Sequence, residues 1–140
     1  MKKIFFSLSI LYFMTACSSL GHKFDRLQTP NENEAIIYYY RPSKFLGSGV
    51  YYDIKENGEN VITLYNGGYY PHRTTEGNKF ISAKTEATEQ ISFPVKNGEI
   101  YFVRGKVNMG IIIGQPSLKL VPKEKALKEI QNCRIIENES

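Results

Sequence analysis

Tryptophan is absent from this sequence, and cysteine and histidine occur twice each, as Cys17, Cys133, His22 and His72. Two cysteines cannot build a disulfide framework, and if Cys17 is used otherwise, Cys133 has no partner within the chain. A buried, inert thiol is the expectation for Cys133, with an intermolecular disulfide as the alternative. Two histidines leave little for a metal centre. His22 lies in a polar stretch, and His72 follows Pro71 with no cysteine or carboxylate at ligand spacing, so neither metal nor cofactor is expected. Gly47-Ser48-Gly49 reads as a loop tip, not the strand-to-helix elbow of a serine hydrolase. No glycine-rich loop ends in Gly-Lys-Ser/Thr to cradle a phosphate. The formal net charge is only +4, and Lys2 and Lys3 at the very start supply half of it. With no basic stripe elsewhere, nothing argues for nucleic acid.

Long apolar runs are also missing. Ile4–Met14 is 11 residues, interrupted by Ser7 and Ser9. As a helix it would span roughly 16 Å, too short for a hydrocarbon core of about 30 Å. A charged start, a short apolar centre and small residues after it describe a signal peptide, residues 1–16. Ordinary signal peptides end in small-x-small, whereas bulky Met14 stands three before Cys17. Met14-Thr15-Ala16-Cys17 instead resembles the bacterial lipobox, with Met14 in place of the more usual leucine. That resemblance implies cleavage between Ala16 and Cys17 and a lipid on the Cys17 thiol, making the membrane the first partner. Each buried methylene contributes about 0.8 kcal/mol, so two or three acyl chains give lasting attachment. Ser18 follows where aspartate would favour inner-membrane retention in resembling proteins, which points to the outer membrane, facing the periplasm.

Residues 17–33 are polar and punctuated by Gly21 and Pro30, and read as a flexible tether of about 20–25 Å as a coil. Residues 34–140 form the domain. Ala35–Arg41 is apolar on both faces and stops at Pro42. Val50–Lys55 alternates, placing Tyr52 and Ile54 on one face. Asn57-Gly58 suits a type I′ hairpin turn into Asn60–Leu64. Tyr69–Thr74, Lys79–Thr85 and a strand around Ile91–Val95 follow. Asn97-Gly98 reads as a second hairpin into Ile100–Val107, and Ile111–Ile113 and Leu118–Val121 close the series. Seven or eight short strands separated by turns predict an all-β fold, an antiparallel sandwich or small barrel. After Pro122, the three-to-four spacing of Ala126, Leu127, Ile130 and Cys133 or Arg134 predicts one amphipathic helix packed on the sheet or across an open end.

The ordered set Ile37-Tyr38-Tyr39-Tyr40-Arg41-Pro42, Asn57-Gly58, Leu64-x-x-Gly67-Gly68-Tyr69, Glu76-Gly77, Gly98-x-x-Tyr101-Phe102-Val103 and Pro116-x-Leu118-x-x-Val121 resembles a bacterial family. It is the domain-of-unknown-function family two-eight-four-six, often found on small lipoproteins, and the resemblance covers about residues 34–131. The stretch from Asn57 to Gly77 is also similar to the sandwich repeats called PEGA domains. Both resemblances imply a transthyretin-like or immunoglobulin-like β-sandwich, and neither supplies a catalytic residue.

Three groups of residues are candidates for chemistry. Asp53, Glu56 and Glu59 surround the first hairpin and could converge as paired carboxylates for a hydrolase, though carboxylates beside a turn are usually solvated. Arg41 ends an aromatic strand, where its guanidinium is expected to brace the following loop or stack on Tyr39, with ligand contact as the alternative. Tyr51, Tyr65, Tyr69 and Tyr70 could form an exposed platform for sugar rings, against the ordinary role of tyrosine in strands. The expectation is a non-enzymatic, membrane-anchored interaction or structural module of the bacterial envelope, with an envelope protein or peptidoglycan as partner. A glycan-binding module using the surface tyrosines is the alternative, and an uncharacterised hydrolase the third reading.

Overall fold

The computed structural model describes residues 20–109 and 114–137. The signal segment, Ala16, Cys17 and the expected strand at 111–113 lie outside the described residues. Ten strands and one helix follow in the order β1 (Leu20–Lys23), β2 (Ala35–Tyr40), β3 (Tyr52–Glu56), β4 (Glu59–Leu64), β5 (Gly68–Thr74), β6 (Gly77–Lys84), β7 (Thr88–Val95), β8 (Ile100–Met109), β9 (Gly114–Leu120), α1 (Lys123–Ile130) and β10 (Arg134–Ile136). One sheet has the order β1-β10-β5-β2-β8-β9 and the other β4-β3-β6-β7. The fold is therefore mostly β, two sheets face to face, with more strands than the seven or eight expected.

The larger sheet is mixed rather than antiparallel. β2 pairs in parallel with β8, and β10 in parallel with β5. The cause lies in β2, where all six residues are buried. A strand apolar on both faces must sit at the centre of a covered sheet. Ile37 and Tyr39 face the core between the sheets. Ile36, Tyr38 and Tyr40 face an outer core with Phe102, Val121, Ala126 and Ile130, under the helix. β8 is also buried on both faces around Phe102 and Val103, so it takes the place beside β2. Asn97-Gly98 is thus not a hairpin: β7 pairs with β6 in the other sheet, and the turn carries the chain across, with the Gly98 N–H donating to the Glu34 carbonyl at 2.7 Å. The turn at Asn57-Gly58 is the expected one. Their φ values of 50° and 84° are those of a two-residue I′ loop between the paired Glu56 and Glu59.

The two ends of the domain also differ from expectation. The helix stops at Ile130, and Arg134–Ile136 becomes a strand, as the β-branched pair Ile135-Ile136 favours. Residues 20–33 are not a free tether. β1 pairs with β10, the Phe24 ring packs edge-on against Tyr38 and Tyr69, and the Gln28 N–H donates to the Tyr38 hydroxyl at 2.8 Å. Phe24 and Leu27 thus cover apolar surface that β2 and β5 would otherwise expose.

Candidate functional site

The strand directions set two ends. At one lie Ala35, Thr74 and the Asn57 and Asn97 turns; at the other lie Arg41, the 42–51 loop, the 65–67 turn and the distal half of β8.

Arg41 holds the second end together. It is 2% exposed, and its guanidinium donates to the carbonyls of Val50 (2.5 Å) and Gly47 (2.8 Å). The expected brace for the loop is present, but the ring beneath it is Tyr52, 5.7 Å away, and not Tyr39. Tyr39 lies on the same face of the strand two residues earlier, and its hydroxyl reaches away from Arg41 towards Glu56. Among the described residues no carboxylate pairs with Arg41, and burial lowers its pKa. The Arg41 carbonyl accepts the Cys133 thiol at 3.7 Å. That thiol is 1% exposed, and burial pushes its pKa up to about 12, so it is an inert interior group.

Next to Arg41, a small cleft of about 200 Å³ is lined by Arg41, Pro42, Lys44, Lys106, Val107 and Asn108. Lys106 has a lowered pKa, chiefly because the Arg104 charge is close, with burial and Lys44 adding to it. Arg104 itself forks onto Glu129 of the helix at 2.7 and 3.0 Å. Phe45, Leu46, Tyr51 and Met109 stand exposed at the same end. This combination of exposed apolar side chains with lysines that have no carboxylate partner among the described residues was not visible in sequence, because Lys44 and Lys106 are brought together only by the loop's fold onto β8. Gly47 marks that contact: its φ is 78°, and a Cβ there would meet Val107 at 3.0 Å.

The four candidate tyrosines do not form one platform. Tyr69 is buried in the outer core, and Tyr70 packs on the inner core, stacked 6.4 Å from His72. Tyr51 and Tyr65 do meet, with centroids 5.4 Å apart. The three carboxylates diverge as well. Asp53 is exposed and accepts from Thr63, and Glu59 is exposed. Glu56 instead packs between the sheets, where it accepts from Thr74 at 2.9 Å, lies 3.2 Å from His72 Nε2 and 3.4 Å from the Tyr39 hydroxyl. Burial pushes the Glu56 carboxyl up, but the hydrogen bonds from His72 and Thr74 outweigh it, and its pKa is lowered. The same burial, with the Glu56 charge, raises the Tyr39 hydroxyl. The His72 contact runs between the sheets, to a carboxylate sixteen positions away. Both Glu56 carboxylate oxygens are engaged, one by Tyr39 and the other by His72 and Thr74, which makes the cluster a structural network.

A family model described as a protein of unknown function (DUF2846) matches residues 31–116. No match is found among curated proteins or among solved structures.

Proposed function

Since the chain belongs to the DUF2846 family, whose description names no activity, we propose that it is a membrane-anchored lipoprotein of the bacterial envelope. It acts as a non-enzymatic interaction or structural module. The observation that carries this reading is the string Met14-Thr15-Ala16-Cys17 standing immediately ahead of a strand that begins at Leu20. Only Ser18 and Ser19 separate the lipid-bearing residue from the folded domain, a reach of about 10 Å fully extended. The lipid therefore holds the domain against the headgroups, instead of lifting it clear on a tether. Ser18 supports the outer membrane, facing the periplasm, as the site of anchoring. A transthyretin-like or immunoglobulin-like origin of the sandwich rests on the family resemblance and the two-layer packing, while the parallel β2–β8 pair sets this chain apart from an all-antiparallel sandwich.

Metabolic labelling with an alkyne fatty acid in a bacterial host tests the anchor. Label is expected on the wild-type chain and lost in Cys17→Ala; equal label on both would refute lipid attachment at this thiol. A second reading, glycan binding, is favoured by the Tyr51–Tyr65 pair alone. Soluble peptidoglycan fragments should then shift the ring resonances of both tyrosines, and unmoved rings would remove that reading.

A further inference from the structure

We propose that the Arg41–Lys44–Lys106 cleft and its apolar rim form a contact site for the phosphate headgroups of an anionic lipid surface. Two independent features meet here. The first is electrostatic. Three cations line a cleft of about 200 Å³ that has no carboxylate among its lining residues. Among the described residues, Arg41 is buried with only backbone carbonyls as hydrogen-bond partners, and a buried charge without a counter-charge is costly. Lys106 feels the like charges of Arg104 and Lys44 more than the opposing charge of Glu129, which Arg104 already holds. A bound phosphate supplies the missing counter-charge, with the lysines as flexible point donors and Asn108 at the wall.

The second feature is apolar. Phe45 is 93% exposed, Leu46 69%, Tyr51 62% and Met109 56%. Large exposed apolar side chains at one end of a domain mark a surface that meets something other than water. Lysines beside aliphatic and aromatic side chains, with a tyrosine at the border, match the layering of an interface, headgroup outside and acyl chain within. A free anion would explain the cations but leave Phe45 and Leu46 without a role. This site does not require the lipid on Cys17, although an anchored chain would meet the surface at high local concentration.

The test uses the full chain with Phe45 replaced by the environment-sensitive residue dansylalanine, mixed with vesicles of phosphatidylglycerol or of phosphatidylcholine. A blue shift with phosphatidylglycerol is expected, weak or absent with phosphatidylcholine. Lys44→Gln and Lys106→Gln should each reduce the inserted-to-free ratio roughly fivefold, the contribution of one basic residue near an anionic surface. A probe that stays in water with phosphatidylglycerol overturns the proposal. So does an equal shift in both vesicles that ignores the two lysines, since that is apolar insertion without headgroup recognition. Inorganic phosphate that moves the Lys106 and Asn108 amide resonances, while vesicles leave them unchanged, assigns the cleft to a free anion and also overturns it. Failure of the anchor is separately visible: a chain without lipid on Cys17 can still show the shift, and a lipidated chain can sediment with both vesicles while its probe remains in water.

Discussion

The two ends of the sandwich treat polar and apolar groups in opposite ways. At the Glu56 end, polar groups answer one another: Glu56 with His72, Thr74 and Tyr39, Arg73 with Glu34 and Gln28, and Glu76 with Asn97, the backbone N–H of each donating to the other's side-chain oxygen. At the Arg41 end, Lys44 and Lys106 have no carboxylate partner among the described residues, and Phe45 and Leu46 stand in water. Interiors of folded chains satisfy their buried polar groups almost completely. An end that does so serves the fold, and an end that leaves charge and apolar surface unanswered is free to serve a partner. The contrast predicts that substitutions at the first end act on stability and those at the second on binding.

The largest expected effect is at Glu56. Glu56→Ala removes the acceptor shared by His72, Thr74 and Tyr39, and each orphaned buried polar group costs about 1–3 kcal/mol. A loss on the order of 3 kcal/mol in urea unfolding is predicted, with vesicle contact unchanged; a loss below about 0.5 kcal/mol would show that water replaces the carboxylate freely. Gly58→Val comes next. Its φ of 84° disfavours a β-branched residue, and strain of this kind costs about 1–3 kcal/mol. Protection of β3 and β4 amides should fall together, because the turn sets their register; unchanged protection would mean that the hairpin does not depend on the turn.

Acid should act at Glu56 and also at Glu129, which pairs with Arg104 on the Arg41 side of the domain. Glu56 and Glu129 both have lowered pKa values, so the unfolded chain takes up protons more readily than the folded one. Stability is then full above the ordinary carboxylate value of 4.5 and declines as pH falls through the lower folded values. Glu56→Gln should flatten part of that decline in a pH series of melting temperatures, and an identical slope would remove Glu56 as a source. The smallest effect is at the other end. Phe45→Ser and Leu46→Ser should change stability by about 0.5 kcal/mol or less, as for other exposed positions. A larger loss would mean that these side chains belong to the core after all.

How much of this was legible in sequence follows from the range of each interaction. Period-two alternation in Tyr52–Lys55 and the Asn57-Gly58 turn are local, and the structure has both where the sequence places them. The double-sided burial of Ile36–Tyr40 was readable too, but its consequence, a parallel neighbour in β8, was not. A turn dipeptide such as Asn97-Gly98 fixes a bend and says nothing about which sheet the next strand joins. Residues 20–33 misled through composition: a polar stretch holding only Leu20, Phe24 and Leu27 as large apolar anchors still docks, because all three find apolar surface to cover. The loop end was hardest. Arg41 could be singled out as a brace, yet its meeting with Lys44 and Lys106 depends on β8 lying beside β2. Tyr69 and Tyr70 illustrate the reverse error, since adjacent residues in a strand point to opposite faces and both faces here are covered.

Hydrogen exchange of the full chain, with and without phosphatidylglycerol vesicles, tests the division between the ends in one experiment. Without vesicles, amides of β5 and β6 at the Glu56 end should be the slower to exchange, and those of residues 43–49 fast, apart from Lys44 and Ser48, whose N–H groups are bonded. Vesicles should then slow exchange in residues 43–51 and around Lys106–Asn108 while leaving the Glu56 end as it was. Protection gained at the Glu56 end instead, or no change at either, would contradict the account.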